Sequence, residues 1–202
     1  SIESKAKDCD ADISGIEIRD PMHDDNTEMF SHYFYELRKK KGMTREKAKE
    51  IVRDNVYFGT MLLQQDMADG LVSGATHATA DTLRPALQII KTKEGIKTAS
   101  SFFIMILEKK LYFFAYCCFN IKPSSEDLAE IAFRTAESAR RFDIEPNVAF
   151  LSFSTHGSAK HEDVERVQEA VKILKEKRPD FSFDGELQVD AAIVPEVAEK
   201  KA

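Results

Sequence analysis

Apolar residues in this chain recur at two spacings, and the switches between them mark its elements. From about Glu28 to Lys40, Met29, Phe30, Tyr33, Phe34 and Leu37 fall on one helical face. Gly42 ends that helix after a basic last turn, Arg38-Lys39-Lys40-Lys41, whose cations complement a helix C-terminus. Thr44 then caps a helix to about Asp54, and Tyr57 to Gln65 predicts another, closed by Asp69-Gly70. A helix from about Asp81 to Ile90 places Pro85 in its first turn, where a missing N–H costs little. Ser124 caps a helix through about Phe142, with Glu126 and Asp127 in its first turn. Two more helices run from about Glu162 to Lys177 and from Pro195 onward.

Between these lie shorter apolar runs. Ile13 to Ile18, Leu71 to Ser73, Val148 to Phe153 and Leu187 to Val189 predict strands, the third of them buried. Ala99 to Leu107 and Leu111 to Phe119, separated by Glu108-Lys109-Lys110, predict a β-hairpin whose near-continuous apolarity implies burial on both faces. Strands alternating with helices predict an α/β fold: a layered, mixed and mostly parallel sheet with flanking helices, plus the antiparallel hairpin.

The 202 residues, 43% hydrophobic, suffice for one large domain or two small lobes. A net charge of −6 argues against nucleic acid or an anionic membrane as the main partner, while a local basic pocket remains open. The longest apolar run, Leu111 to Phe119, falls far short of the ~20 residues of a membrane helix, so a soluble chain is expected. Cys9, Cys117 and Cys118 lack metal-ligand spacing, which predicts a reducing, cytoplasmic setting without disulfide or structural zinc. The opening Ser1-Ile2-Glu3-Ser4-Lys5 reads as a processed, cloned or truncated end rather than a secretion signal.

The chemistry concentrates in three segments. Asp69 to Pro85 breaks from an apolar run into Ser73, Gly74, Thr76, His77 and Thr79 just before a helix, with Arg84 about one turn in. Glycine, hydroxyls, unpaired helix N–H groups and a guanidinium fit a phosphate or carboxylate site, or else an ordinary turn with an exposed arginine. Ser152 to Ser158, with Ser154, Thr155, His156 and Gly157, again joins a strand to a helix, as ligand loop or polar connection. Asp184 to Asp190 gathers three acids and Gln188 around a short strand, as a general base, an arginine partner or plain structure. His77, His156 and His161 are scattered without helical pairing, so no metal site is expected. No nucleophile elbow surrounds Ser73, Ser152 or Ser158.

Five motifs then follow one another along nearly the whole chain. They are Tyr35 to Lys39 with Lys41-Gly42, Asp69 to Gly74, Thr82 to Lys91 with its Leu-Arg-Pro, Leu151 to Thr155, and Asp184 to Pro195. In this order they resemble the phosphate acetyl/butyryltransferase family. The resemblance implies reversible acyl transfer in acetate metabolism: acetyl-CoA and inorganic phosphate give acetyl phosphate and coenzyme A. It implies a fold similar to isocitrate and isopropylmalate dehydrogenases, two α/β lobes with a cleft, assembled as a homodimer. Residues 1–97 would be part of the first domain with cleft loops, and 98–202 the second, incomplete at its C-terminus. Coenzyme A enters as substrate, and no other cofactor or metal is implied. The resemblance assigns coenzyme A and anion binding to Arg38 and Arg84, whose guanidinium groups suit phosphate oxygens. It assigns the lining of the site to Ser73, Gly74, His77, Thr79, Ser154, Thr155 and Gly157.

In the family, an acid helps deprotonate the thiol, which attacks the acyl phosphate directly. The acid/base and oxyanion roles belong in the family to a Ser-Arg-Gly-Cys-Ser run with a downstream aspartate, beyond the last helix of this chain. No catalytic residue is therefore identified here, and a partial chain lacking both family termini, weakly active or inactive, with exposed apolar edges, is expected. Tyr116 stands where the family has an aspartate on a cleft-facing strand, and Phe119 enlarges a small position. The alternatives are an acyl-CoA-binding regulatory module, resembling domains fused to malic enzymes, and a structural fragment.

Overall fold

The computed structural model describes residues 2–96, 98–117 and 120–202. Expectations placed on Ser1, Cys118 and Phe119, and the boundary at Lys97, lie outside them. The chain divides into two compact units, Ser1–Lys93 and Glu94–Ala202, each taken by itself.

The described residues of the first unit form helices and loops: α1 (Ile2–Asp8), α2 (Thr27–Arg38), α3 (Arg45–Val52), α4 (Asn55–Gln64) and α5 (Thr79–Ile89). Local chemistry sets their ends. Arg38 leads into a 3₁₀ turn, Lys39–Lys41, which Gly42 closes at φ 83°. The Thr44 side chain accepts the Lys47 N–H at the start of α3, and Asp54 accepts those of Val56 and Tyr57 at the start of α4. On the inner faces Phe30, Phe34, Ala48, Val52, Phe58, Met61 and Ile89 form one buried cluster. Phe30 meets Phe58 edge-on at 5.2 Å.

Two expected strands are corrected here. Ile13 to Ile18 is irregular, because Asp12 accepts the Ser14 N–H at 2.8 Å and Gly15 turns at φ 80°, breaking the run before it can pair. Leu71 to Ser73 is also irregular and exposed, with Val72 fully in solvent. Three residues without a partner strand cannot satisfy a ladder. Pro85 is not in the first turn either. It is the seventh residue of α5, buried, and its ring packing offsets the hydrogen bond it cannot donate.

The second unit holds β1 (Phe102–Leu107), β2 (Lys110–Ala115), α6 (Ser125–Arg140), β3 (Asn147–Leu151), α7 (Glu162–Glu176), β4 (Ser182–Leu187), α8 (Val189–Ile193) and α9 (Pro195–Lys201). The hairpin forms with Glu108 and Lys109 at φ 47° and 69°, the positive values that a two-residue turn needs. Its expected burial on both faces does not hold: Phe103 is 51% exposed and Ile106 72%. Alternation sends Phe103 and Ile106 to opposite faces, so neither face is fully covered within this unit.

α6 opens with a full capping box, Ser124 and Asp127 bonding each other's backbone. Its small stripe, Ala129, Ala132 and Ala136, meets Ala170 and Leu174 of α7 with Phe150 and Phe181 in the core. β3 and β4 pair in parallel through the α7 crossover. Leu151 and Phe153 are exposed, so the buried strand expected over 148–153 is shorter and covered mainly at Phe150. The last strand lies earlier than Leu187 to Val189. Phe181, Phe183 and Gly185 alternate into it, and Val189 already begins α8. Among the described residues the strands form two separate pairs, not one layered and mostly parallel sheet, while the α/β class stands. No helix among them is long and apolar enough to cross a membrane.

Candidate functional site

In the first unit, α2, α4 and α5 bring charge around one phenol. Tyr57, on the first turn of α4, meets Phe34 edge-on at 5.5 Å and donates its hydroxyl to Gln88 at 3.0 Å. Burial pushes that phenol above its ordinary range; Arg84 and then Arg38 pull it down, while Asp54 and Asp81 push it up. The two arginines singled out in the sequence therefore act on the same group. Arg84 is exposed and pairs with Asp81 at 3.1 Å. Arg38 is half-buried, and its Nε is buried without an acceptor, as are those of Arg53 and Arg166 among the described residues. A buried guanidinium N–H with no acceptor is an unsatisfied hydrogen-bond donor.

The loop before α5 carries the other predicted groups. Ser73, Gly74 and Thr79 are exposed, and His77, half-buried, lies 3.2 Å from the Thr76 hydroxyl. Gly74 stands at φ 109°, a backbone that side chains disfavour. Ala78 leaves the α5 N-terminus without a side-chain cap.

In the second unit, the loop after β3 closes on itself. Ser154 and Thr155 are buried; the Ser154 hydroxyl donates to Glu186 Oε1 at 2.9 Å, and Thr155 Oγ1 accepts the Gln188 N–H at 2.9 Å. The Gly157 N–H donates to the same Glu186 oxygen at 2.6 Å. His156 Nε2 lies 3.5 Å from Asp184, and His161 caps α7. Asp190 pairs with Lys201 at 2.8 Å. Tyr116 sits past the end of β2, in a bend at φ 60°, with its hydroxyl on the Ile121 carbonyl at 3.0 Å. It is not on a strand, because the ladder stops at Ala115. Cys9 and Cys117 are free, and no group of three or more metal-ligating residues gathers among the described residues.

Glu186 is buried, which pushes its carboxyl up, yet the bonds from the Gly157 N–H, Gln168 and Ser154 outweigh this and hold it below the usual range. Between the folded and unfolded values the unfolded chain binds the extra proton. The stabilisation is therefore complete above the unfolded value of ~4.3 and is lost as pH falls through the folded one. Asp127, Glu130 and Asp190 are lowered too and act with the same sign. Thermal scans are expected to show a midpoint nearly flat from pH 7 to 5 and falling steeply below about pH 4. A midpoint unchanged at pH 3 would contradict these assignments.

Sequence reasoning missed Tyr57 and Gln88, and took Glu186 only as one of the three acids in 184–190. Asp81, Arg84 and Gln88 share one helical face, a spacing that signals Gln88. Tyr57 is hidden in an apolar run, and nothing in the sequence sets Glu186 apart from the neighbouring Asp184 and Asp190.

The family model described as phosphate acetyl/butaryl transferase matches residues 1–202. The phosphate acetyltransferase of Bacillus subtilis (strain 168) is 55% identical over 201 residues, covering 100% of this chain and 62% of that protein. That of Clostridium acetobutylicum is 53% identical over 208 residues, with coverage of 100% and 62%. A phosphotransacetylase structure from Streptococcus pyogenes superposes with a TM-score of 0.85 at 46% identity, covering 100% of this chain and 61% of that one. The chain thus spans about three fifths of these relatives' length.

Proposed function

Because the chain belongs to the phosphate acetyl/butaryl transferase family, we propose that its chemistry is reversible acetyl transfer between coenzyme A and inorganic phosphate. In the direction of acetyl-CoA synthesis, the thiolate sulfur attacks the carbonyl carbon of acetyl phosphate and the carbon–oxygen bond to phosphate breaks. Acetyl-CoA forms and phosphate leaves with the bond electrons. Coenzyme A is a substrate, and no cofactor is needed.

The observation that carries this reading is the Nε of Arg38, buried without an acceptor on α2. We assign both guanidinium groups to phosphate oxygens of coenzyme A. Ser73, Gly74, His77 and Thr79, with the uncapped start of α5, would donate to a second anion. In the second unit, taken by itself, Ser154, Thr155 and Gly157 serve by shaping their own loop, since Ser154 and Gly157 donate to Glu186 and Thr155 accepts from Gln188. The same proposal places the protein in the cytoplasm as a homodimer, with the complete fold layered as in isocitrate dehydrogenases.

Incubation with acetyl-CoA and phosphate, followed by thiol titration, tests it. Release of coenzyme A is expected, at a low rate for this span alone. Binding without release favours an acyl-CoA-binding module, and neither binding nor release contradicts the assignment.

A further inference from the structure

Glu186 leaves the β4 ladder. Phe150 pairs with Gly185 and Leu151 with Leu187, so Glu186 is the extra residue of a bulge. A bulge re-aims a side chain that strand alternation would send elsewhere. Here the re-aimed carboxylate lies against the loop from Ser152 to Ala159.

That loop spends its donors inward. The Ser154 N–H bonds Ser152 Oγ at 3.2 Å, and the Thr155 N–H bonds Ser158 Oγ at 3.0 Å. The His156 N–H bonds the Glu186 carbonyl at 3.1 Å, and the Gly157 N–H bonds its carboxylate at 2.6 Å. The Ser158 N–H bonds the Thr155 carbonyl at 3.1 Å, and the Ala159 N–H bonds Ser154 Oγ at 3.1 Å. Every backbone N–H from Ser154 to Ala159 thus has an acceptor. The place where a loop of this kind would hold a substrate anion is filled by the protein's own carboxylate.

Glu186 is only 2% exposed, and among the described residues hydrogen-bond donors, not a paired cation, hold its charge. A buried carboxylate is costly unless its bonds are complete, so it persists where a single loop conformation is needed. We infer that Glu186 is a positioning residue: it fixes the 152–159 loop in one arrangement, with His156 exposed and the Ser158 hydroxyl turned back onto the Thr155 N–H, ready for the acetyl phosphate end of the reaction. The role in the reaction rests on the acyl-transfer reading. The role in the loop does not.

Glu186→Gln keeps the shape and removes the charge, and Glu186→Asp keeps the charge but withdraws it by one methylene. In the 202-residue chain, both are expected to speed amide hydrogen exchange at Gly157 and Ala159 about tenfold, with the amides of α7 unchanged. Acetyl phosphate affinity should fall about tenfold while coenzyme A affinity stays within twofold, a split that general loosening of the fold would not give. If the Glu186 variants fail to fold, Ser154→Ala, which removes one donor to the carboxylate and the acceptor of the Ala159 N–H, is expected to speed exchange strongly at Ala159 and less at Gly157, whose acceptor stays. Loop exchange like that of the unmodified chain, or acceleration spread evenly over α6, α7 and β3, would overturn the inference. If the unmodified chain binds neither ligand but the loop opens as expected, the positioning of the loop stands and the acyl-transfer reading falls.

Discussion

Alanine at Gly185 is expected to cost the second unit about 2–3 kcal/mol, the upper range for overpacking a core. Gly185 stands at φ 153°, and a Cβ there would lie 2.6 Å from Phe150 Cβ and 2.9 Å from its carbonyl oxygen. No flexible tip is available to yield, because Phe150 is both a ladder partner and a core residue. Gly70→Ala is the control, since nothing lies within 4 Å of its added carbon and its φ is not positive. Calorimetric unfolding should lower the transition of the second unit for Gly185→Ala and leave Gly70→Ala near the parent. Equal midpoints for the two variants would refute the close approach of β4 to β3.

Arg38→Ala is expected to weaken coenzyme A binding at least tenfold, about 1.4 kcal/mol. The Nε is the group left without an acceptor, so Arg38→Lys should lose nearly as much although it keeps the charge. Arg84 is exposed and already shares its charge with Asp81, so Arg84→Ala should cost less, about threefold. Competition against a fluorescent coenzyme A derivative gives the order: Arg38→Ala, then Arg38→Lys, then Arg84→Ala. Full recovery in Arg38→Lys would show that charge alone, without the Nε geometry, sets the affinity.

What was legible in the sequence was local. The caps at Thr44 and Ser124 and the end at Gly42 depend on residues within one turn, and each lies where the pattern puts it. The hairpin was legible because three charged residues, Glu108-Lys109-Lys110, interrupt two apolar runs. Strands at 13–18 and 71–73 were not, because a strand exists only with a partner, and short apolar runs carry no record of one. The Asp184-Gly185 pair reads as a turn, which hid the alternation through Phe181 and Phe183. Arg84 was legible from the residues before its helix and the role of Arg38 came through the family resemblance, but the electrostatic influence of both on Tyr57 depends on three helices packing together. Glu186 was unreadable for a different reason: an in-plane count of strand positions misplaces the side chain of a bulged residue.

The most direct test is calorimetric titration of acetyl-CoA into the unmodified chain and into the Arg38→Ala/Arg84→Ala double variant. Saturable binding at one site per chain, lost in the double variant while both proteins unfold at similar temperatures, is the expected result. Equal binding by the two proteins, or none by the unmodified chain, would contradict the assignment of these arginines to the coenzyme A site.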